Sequence, residues 1–250
     1  MSEDWNIHAN RLFSCIDHTS LSTTDSESTI SKFCRRAKEL KDSAGEHVYA
    51  VCVYLPYISV ARRALQGSGI KVAVVAGAFP HGQMPLSLKV SEVQYAIDQG
   101  ADEVDIVINR GLVMSDDRDG VIEEVKRMKE VCGDKILKVI LETCDLPSPT
   151  LVSKAARWAM EGGADFIKTS TGKGKAGAEL SSAEIMLKEI RAYQETYRRT
   201  IGFKAAGGIR TPKQACDFAS LASRIMGESY INPHTFRIGA SSLTENLLAR

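Results

Sequence analysis

Short runs of β-branched and small apolar residues recur along the whole chain, each followed by an amphipathic stretch, and no Pro- or Ser-rich linker interrupts them. The runs at 14–17, 48–54, 71–77, 103–108, 136–142, 165–169, 201–205 and 236–240 read as strands. Their centres lie roughly 20 to 36 residues apart, which is room for one strand, one helix and two short loops. Strands that alternate with helices in this way build a parallel sheet covered by its helices. Eight such units in 250 residues point to the α/β class and to one closed (β/α)8 TIM barrel over residues 1–250, more than to an open sheet.

Helix boundaries are written into the same stretches. Thr211-Pro212 reads as N-cap and first helical residue, and Ser181 or Ser182 as the cap of the helix before it. Gly100 and Gly162-Gly163 close two helices, since glycine enters the left-handed region without steric cost. The two joints are near copies, with GADEVD at 100–105 aligning with GADFIK at 163–168. Asp105 and Lys168 therefore hold the same register on the fourth and sixth strands. Alternate strands of a barrel share an interior layer, so an acid and an amine are expected to face each other across it.

Composition limits the partners. With 32 Lys+Arg against 31 Asp+Glu the net charge is +1, which gives no reason to expect nucleic acid or an anionic membrane. The longest apolar stretch, near 72–79, is far short of the ~18 residues that span a bilayer. The opening MSEDWNIHAN is polar and acidic, the wrong order for a secretory leader, so a cytoplasmic location is expected. Six scattered cysteines without a CxxC read as reduced thiols, and five histidines without ligand spacing leave no metal to expect.

The strand lysines carry the chemistry. Lys168 sits in DFIKTST among apolar and small neighbours, where an ammonium is costly to bury and its pKa falls. Lys204, in GFKAAGG on the next strand, brings a second amine near. Two adjacent amines resist double protonation, which leaves one as a neutral nucleophile able to form a Schiff base with a carbonyl. Asp105 in EVDIVI shares a strand face with Glu103 and can move protons to and from a nascent hydroxyl through a bound water. Lys138 either belongs to an internal network with Asp105 and Glu142 or assists in the chemistry. Asp17 in CIDHTSL either holds a substrate hydroxyl, together with Thr19, or caps the following turn. Cys52 is most simply a small core residue.

Two glycine-rich turns supply an anion site. Gly207 and Gly208 follow the seventh strand, and Gly239, Ser241 and Ser242 follow the eighth, where barrels commonly place a phosphate. TGKGKAG at 171–177 contains GxGxxG, but at the sixth strand rather than the first, so a dinucleotide cradle is rejected. Thr171 and Lys173 in this loop are assigned to substrate or phosphate, and Lys175 to solvent.

The segments CIDHTSL, AVCVYLPYI, AFPHG, GADEVDIVIN, LKVILET, GADFIKTSTGK, GFKAAGGIR and RIGASS, in this order from 16 to 242, resemble the deoxyribose-phosphate aldolase family. The resemblance implies a metal-independent, cofactor-free class I aldolase interconverting 2-deoxy-D-ribose 5-phosphate with D-glyceraldehyde 3-phosphate and acetaldehyde. It also implies a homodimer. Carried over by position, Lys168 forms the Schiff base, Lys204 is the acid/base partner that perturbs it, and Asp105 relays protons with Lys138 beside it. A Cys52 thiol at the mouth of such a site would meet product aldehyde and be alkylated.

Ala206 stands where many members have serine, Gly174 loosens the lysine loop, and the chain stops at Arg250 where some relatives continue to a tyrosine, so no tail contribution is expected. The alternatives are another Schiff-base barrel enzyme of the transaldolase type or a non-catalytic binding protein. A sugar-acid aldolase is disfavoured for want of a strand-borne arginine to hold a substrate carboxylate.

Overall fold

The computed structural model describes residues 11–248; the leader reading of residues 1–10 and the terminal Arg250 lie outside them. The strands are β1 (Ile16–Thr19), β2 (Ala50–Tyr54), β3 (Lys71–Ala76), β4 (Glu103–Val107), β5 (Ile136–Ile140), β6 (Phe166–Lys168), β7 (Gly202–Ala206) and β8 (Phe236–Ala240). Each pairs in parallel with its sequence neighbour, and β8 returns to β1 to close a barrel. The (β/α)8 TIM barrel read from the alternation is therefore the observed fold.

Helices α1 (Glu27–Ala44), α2 (Ile58–Leu65), α3 (Leu86–Asp98), α4 (Arg110–Met114), α5 (Arg118–Cys132), α6 (Pro149–Glu161), α7 (Leu180–Tyr197), α8 (Pro212–Met226) and α9 (Leu243–Leu248) surround it. The main core lies between strands and helices. Val51, Val104, Val139, Ile167 and Ile238 on the strands are buried in one cluster with Ile30, Val93, Val125, Met186 and Phe218 on the helices. Each such side chain contributes about 1.5–3 kcal/mol when fully buried.

Local chemistry sets the helix ends. Thr211 Oγ1 accepts from Gln214 N, the Gln214 amide oxygen returns the bond to Thr211 N, and Pro212 begins α8. Gly100 and Gly163 have φ of +86° and +104°, as the end of a helix demands. Ser181 and Ser182 do not cap α7. It starts at Leu180, with the extended Glu179 as N-cap and no side-chain bond, so both serines fall in the first turn.

Most strand boundaries shift by a residue or two from the pattern, β1 and β5 with an evident local cause. A turn that bonds Cys15 N to Leu12 O delays β1 to Ile16, and the left-handed Glu142, φ +51°, lies beyond the end of β5 at Ile140.

The register stacks the barrel interior in layers of four. Asp17 pairs with Ala50 and Gly239, Ala73 with Cys52 and Glu103, Lys138 with Asp105 and Phe166, and Lys204 with Lys168 and Arg237. Alternate strands thus give a floor of Ala50, Glu103, Phe166 and Arg237, and a middle layer of Asp17, Ala73, Lys138 and Lys204. The upper layer is Cys52, Asp105, Lys168 and Gly239, the arrangement that barrel shear imposes. Seven of these twelve positions are ionisable acids or bases of full charge, where barrels usually place branched apolar residues.

Candidate active site

The upper layer opens on the C-terminal end of the barrel. A pocket of about 440 Å3 there is lined by Lys168, Thr19, Leu21, Thr171, Lys173, Ala206, Gly207, Gly208, Arg210, Gly239 and Ser241, among others. Lys168 is the one strand lysine at its wall, 3% exposed; Lys138 and Lys204 are fully buried.

One carboxylate organises all three amines. Asp105 accepts from Lys138 at Oδ1 (2.7 Å) and from Lys168 and Lys204 at Oδ2 (2.8 Å each). The alternation of EVDIV turns both Glu103 and Asp105 inward, and the expected acid–amine encounter across one layer is what the register produces.

The electrostatics separate the lysines. Burial pulls the Lys168 amine below the ordinary lysine value; Asp105 opposes this and Lys204 reinforces it. Lys204 is equally buried, yet Asp105 and Asp17 together hold its amine above the ordinary value. Lys138 is held higher still against the penalty of burial, because Asp105, Glu103 and Asp17 all surround it. Burial pushes the Asp105 carboxyl up, but Lys138, Lys168 and Lys204 outweigh it and keep it well below the usual carboxylate range. A buried amine with a single acid contact at a pocket wall is equipped to add to a carbonyl; its buried neighbours are equipped to hold protons.

Several predicted residues lie elsewhere than expected. Asp17 caps no turn and does not line the pocket. Its carboxylate is spent in the middle layer on Lys204 and Arg237, and Asp25 makes the turn bonds to Ser20 and Ser22 instead. Glu142 does not join Lys138. Past the strand end it turns onto the Thr171 amide and hydroxyl, and thereby pins the loop that carries Lys173. Lys138 is paired with Asp105 and Glu103 instead.

Cys52 is fully buried among Leu21, Ala50, Ala73 and Val75, and burial pushes its thiol up, so it is not an exposed nucleophile at the mouth. Ser241 lines the pocket; Ser242, the residue before α9, does not. Lys173 Nζ donates to Leu21 O at 2.6 Å across the rim, and Lys175 is exposed.

Among the described residues, no group of three or more His, Cys, Asp or Glu side chains is disposed to hold a metal ion. Cys15, Cys34, Cys52, Cys132, Cys144 and Cys216 form no disulfide with one another. No helix among the described residues is long and apolar enough to cross a membrane.

A model of the DeoC/LacD family of aldolases matches residues 12–243. This chain belongs to that family. Among solved structures, a Coccidioides immitis protein named as a candidate deoxyribose-phosphate aldolase is 30% identical, with a TM-score of 0.81 over 95% of this chain and 85% of its own. A Toxoplasma gondii ME49 protein named in the same way is 25% identical, with a TM-score of 0.85 over 97% and 92%. The deoxyribose phosphate aldolase of Aeropyrum pernix, described as a unique tetramer, is 26% identical, with a TM-score of 0.75 over 99% and 97%. The protein is thus an aldolase, a carbon–carbon lyase.

Two site-building residues escaped the motif reading of this aldolase. Arg237 lies on β8, so a strand-borne arginine does exist. It is 1% exposed, neutralised by Asp17 and Glu103, stacked 3.6 Å from the Tyr49 ring, and out of reach of a substrate carboxylate. Glu103 binds Lys138 at 2.6 Å and Arg237 at 2.9 Å. Their signal was the period-two spacing to Asp105 and Gly239, which points both into the barrel.

Proposed function

We propose that this aldolase reversibly cleaves 2-deoxy-D-ribose 5-phosphate to D-glyceraldehyde 3-phosphate and acetaldehyde through a Schiff base on Lys168. The observation that carries the reading is the position of Lys168: at the pocket wall, with its amine lowered and bonded to Asp105 alone. The family, and the names of the related structures, support the sugar phosphate as substrate class.

The neutral amine adds to the open-chain aldehyde at C1, and loss of water gives the iminium. A base then takes the C3 hydroxyl proton. The O–H electrons form the new carbonyl at C3, the C2–C3 bond pair moves into C1=C2, and the iminium nitrogen is neutralised as the enamine. A two-carbon aldehyde and a three-carbon phosphate require scission of C2–C3; scission of C3–C4 would divide the chain the other way. Glyceraldehyde 3-phosphate leaves, C2 takes a proton, and water hydrolyses the iminium to acetaldehyde and free Lys168.

Asp105 and Lys204 are the proton carriers in this scheme. They share one hydrogen bond at 2.8 Å, one as a carboxylate held ionised and the other as an ammonium held charged. Lys138 sits behind Asp105 and fixes it. The phosphate is assigned to the backbone at Gly207 and Gly208, to Ser241 and to Lys173, which line the same pocket as Lys168, so that anchoring it orients C1 toward the amine. Gly207, at φ +93°, is needed there: a Cβ would come within 2.9 Å of Gly177 Cα.

Borohydride reduction in the presence of deoxyribose 5-phosphate, followed by peptide mass spectrometry, tests the reading. The expected adduct is on Lys168. An adduct on Lys204, or none, overturns it.

A further inference from the structure

Asp17, Glu103 and Asp105 form one connected ionic network with Lys138, Lys168, Lys204 and Arg237 inside the barrel. Three carboxylates meet four cations. With every group ionised, the interior holds one uncompensated positive charge, which a low-dielectric site resists. Releasing a single proton restores the balance, and the geometry decides which group releases it. Arg237 cannot, because a guanidinium keeps its charge in proteins. Lys138 is bound by Asp105 and Glu103, with Asp17 at 3.7 Å, and Lys204 by Asp17 and Asp105. Lys168 has Asp105 alone, and shares that oxygen with Lys204.

We infer that Arg237, in the floor of the barrel and away from the pocket, is a positioning residue that keeps Lys168 as the free base by fixing the charge balance of the interior. It acts through Asp17 and Glu103. Its NH1 bonds Asp17 Oδ1 at 2.6 Å and its NH2 bonds Glu103 Oε1 at 2.9 Å, while the second oxygen of each bonds Lys204 or Lys138, so neither carboxylate is left for Lys168. The guanidinium is clamped between the Tyr49 ring at 3.6 Å and the Phe166 ring at 5.4 Å, and its Nε donates to Pro233 O. An arginine is required because a lysine in the same place could itself shed the missing proton.

The groups facing Lys168 from the other strands are consistent with this accounting. β2 offers Cys52, a thiol that burial keeps protonated, and β3 only Ala73 and Val75. β1, β4, β5, β7 and β8 supply the other six charges of the network. Tyr49 meets Arg237 with its phenol raised by burial. At the rim, Glu142 bonds Thr171 and Lys173 bonds Leu21 O, outside the network.

The inference rests on Lys168 being the Schiff-base lysine, and the test separates the two. Parent, R237Q, E103Q and the R237Q/E103Q double variant are incubated with acetaldehyde and cyanoborohydride from pH 5 to 10, and the adduct on Lys168 is quantified by peptide mass spectrometry. R237Q leaves three lysines facing three carboxylates, so Lys168 retains its proton and the midpoint of trapping rises by about one pH unit or more. E103Q adds to the positive excess and lowers the midpoint. The double variant has three lysines and two carboxylates, the parent's imbalance of one, and its midpoint returns toward the parent's.

Both single variants break the same Arg237–Glu103 pair, so a purely structural role moves them in the same direction. That outcome, or a double variant that tracks R237Q, overturns the inference while leaving the Schiff base intact. If R237Q does not fold, an unshifted E103Q midpoint overturns it. Absence of a Lys168 adduct in the parent overturns the Schiff-base reading and the inference with it.

Discussion

The floor and the upper layer of this barrel use the same residue types for opposite ends. In the floor and the layer above it, Arg237, Lys138 and Lys204 each meet at least two of the carboxylates of Asp17, Glu103 and Asp105, and none of the three cations lines the pocket. In the upper layer, Lys168 pairs only with Asp105 among the described residues and stands at the wall of the cavity. Lys138 and Lys168 bond to the two oxygens of one carboxylate at 2.7 and 2.8 Å, yet their amines are pushed in opposite directions. The count of acids around a buried amine, rather than burial itself, decides whether it is a fixed cation or an available nucleophile.

Exchanging each lysine for an isosteric apolar residue is the strongest way to break this contrast. Lys168→Met is expected to lower kcat by on the order of 10^3-fold or more, while removing a neutral amine that supplies no charge to the fold, so Tm changes little. Lys138→Met leaves Glu103 and Asp105 short of a counter-charge and is expected to cost about 3–5 kcal/mol of stability. A thermal melt and a retro-aldol assay on both variants check the crossover. Equal loss of Tm in the two would show that Lys168 is also a structural cation.

Acid unfolding sharpens the same point. Burial pushes the carboxyls of Asp17, Glu103 and Asp105 up, but the surrounding lysines and Arg237 hold all three below their ordinary values. A carboxyl depressed in the folded state contributes stability that is complete above its unfolded value and is lost as pH falls through its folded one. The stability these carboxyls supply is therefore expected to begin falling below pH 3.8, the ordinary aspartate value, and to be lost completely only well below it. Lys138→Met raises the midpoint, whereas Lys168→Met moves it less, because a neutral amine does little to hold Asp105 ionised. Circular dichroism across an acid titration measures both.

The smallest expected effect lies at the rim. Lys173→Ala removes an exposed ammonium that can meet the phosphate, and is expected to raise KM for the phosphorylated sugar by about tenfold, near 1.4 kcal/mol, with kcat little changed. Turnover of the unphosphorylated sugar is expected to be unaffected. A matching loss on both substrates would place Lys173 in the chemistry and blur the line between rim and upper layer.

Much of this was legible in the amino-acid order. The strand–helix alternation specified a barrel, the paired GADEVD and GADFIK joints set Asp105 and Lys168 in one register, and the glycines after β7 and at the end of β8 marked the mouth. The partners of Asp17, Glu142 and Arg237 were not. Asp17 reads locally as a turn residue and Arg237 as an isolated cation in FRIGA, since nothing within a few positions of either names its partner.

The sequence by itself determined which residues point inward, because a strand alternates its side chains with period two. Which inward residues meet was decided only by closure of the barrel, whose shear offsets adjacent strands so that Asp17 on the first strand reaches Arg237 on the last, 220 residues away. The proposed nucleophile depends on that closure. A lysine is basic wherever it stands in a chain, and Lys168 is proposed to become reactive only because three carboxylates are shared among four cations in an interior with little water to make up the difference.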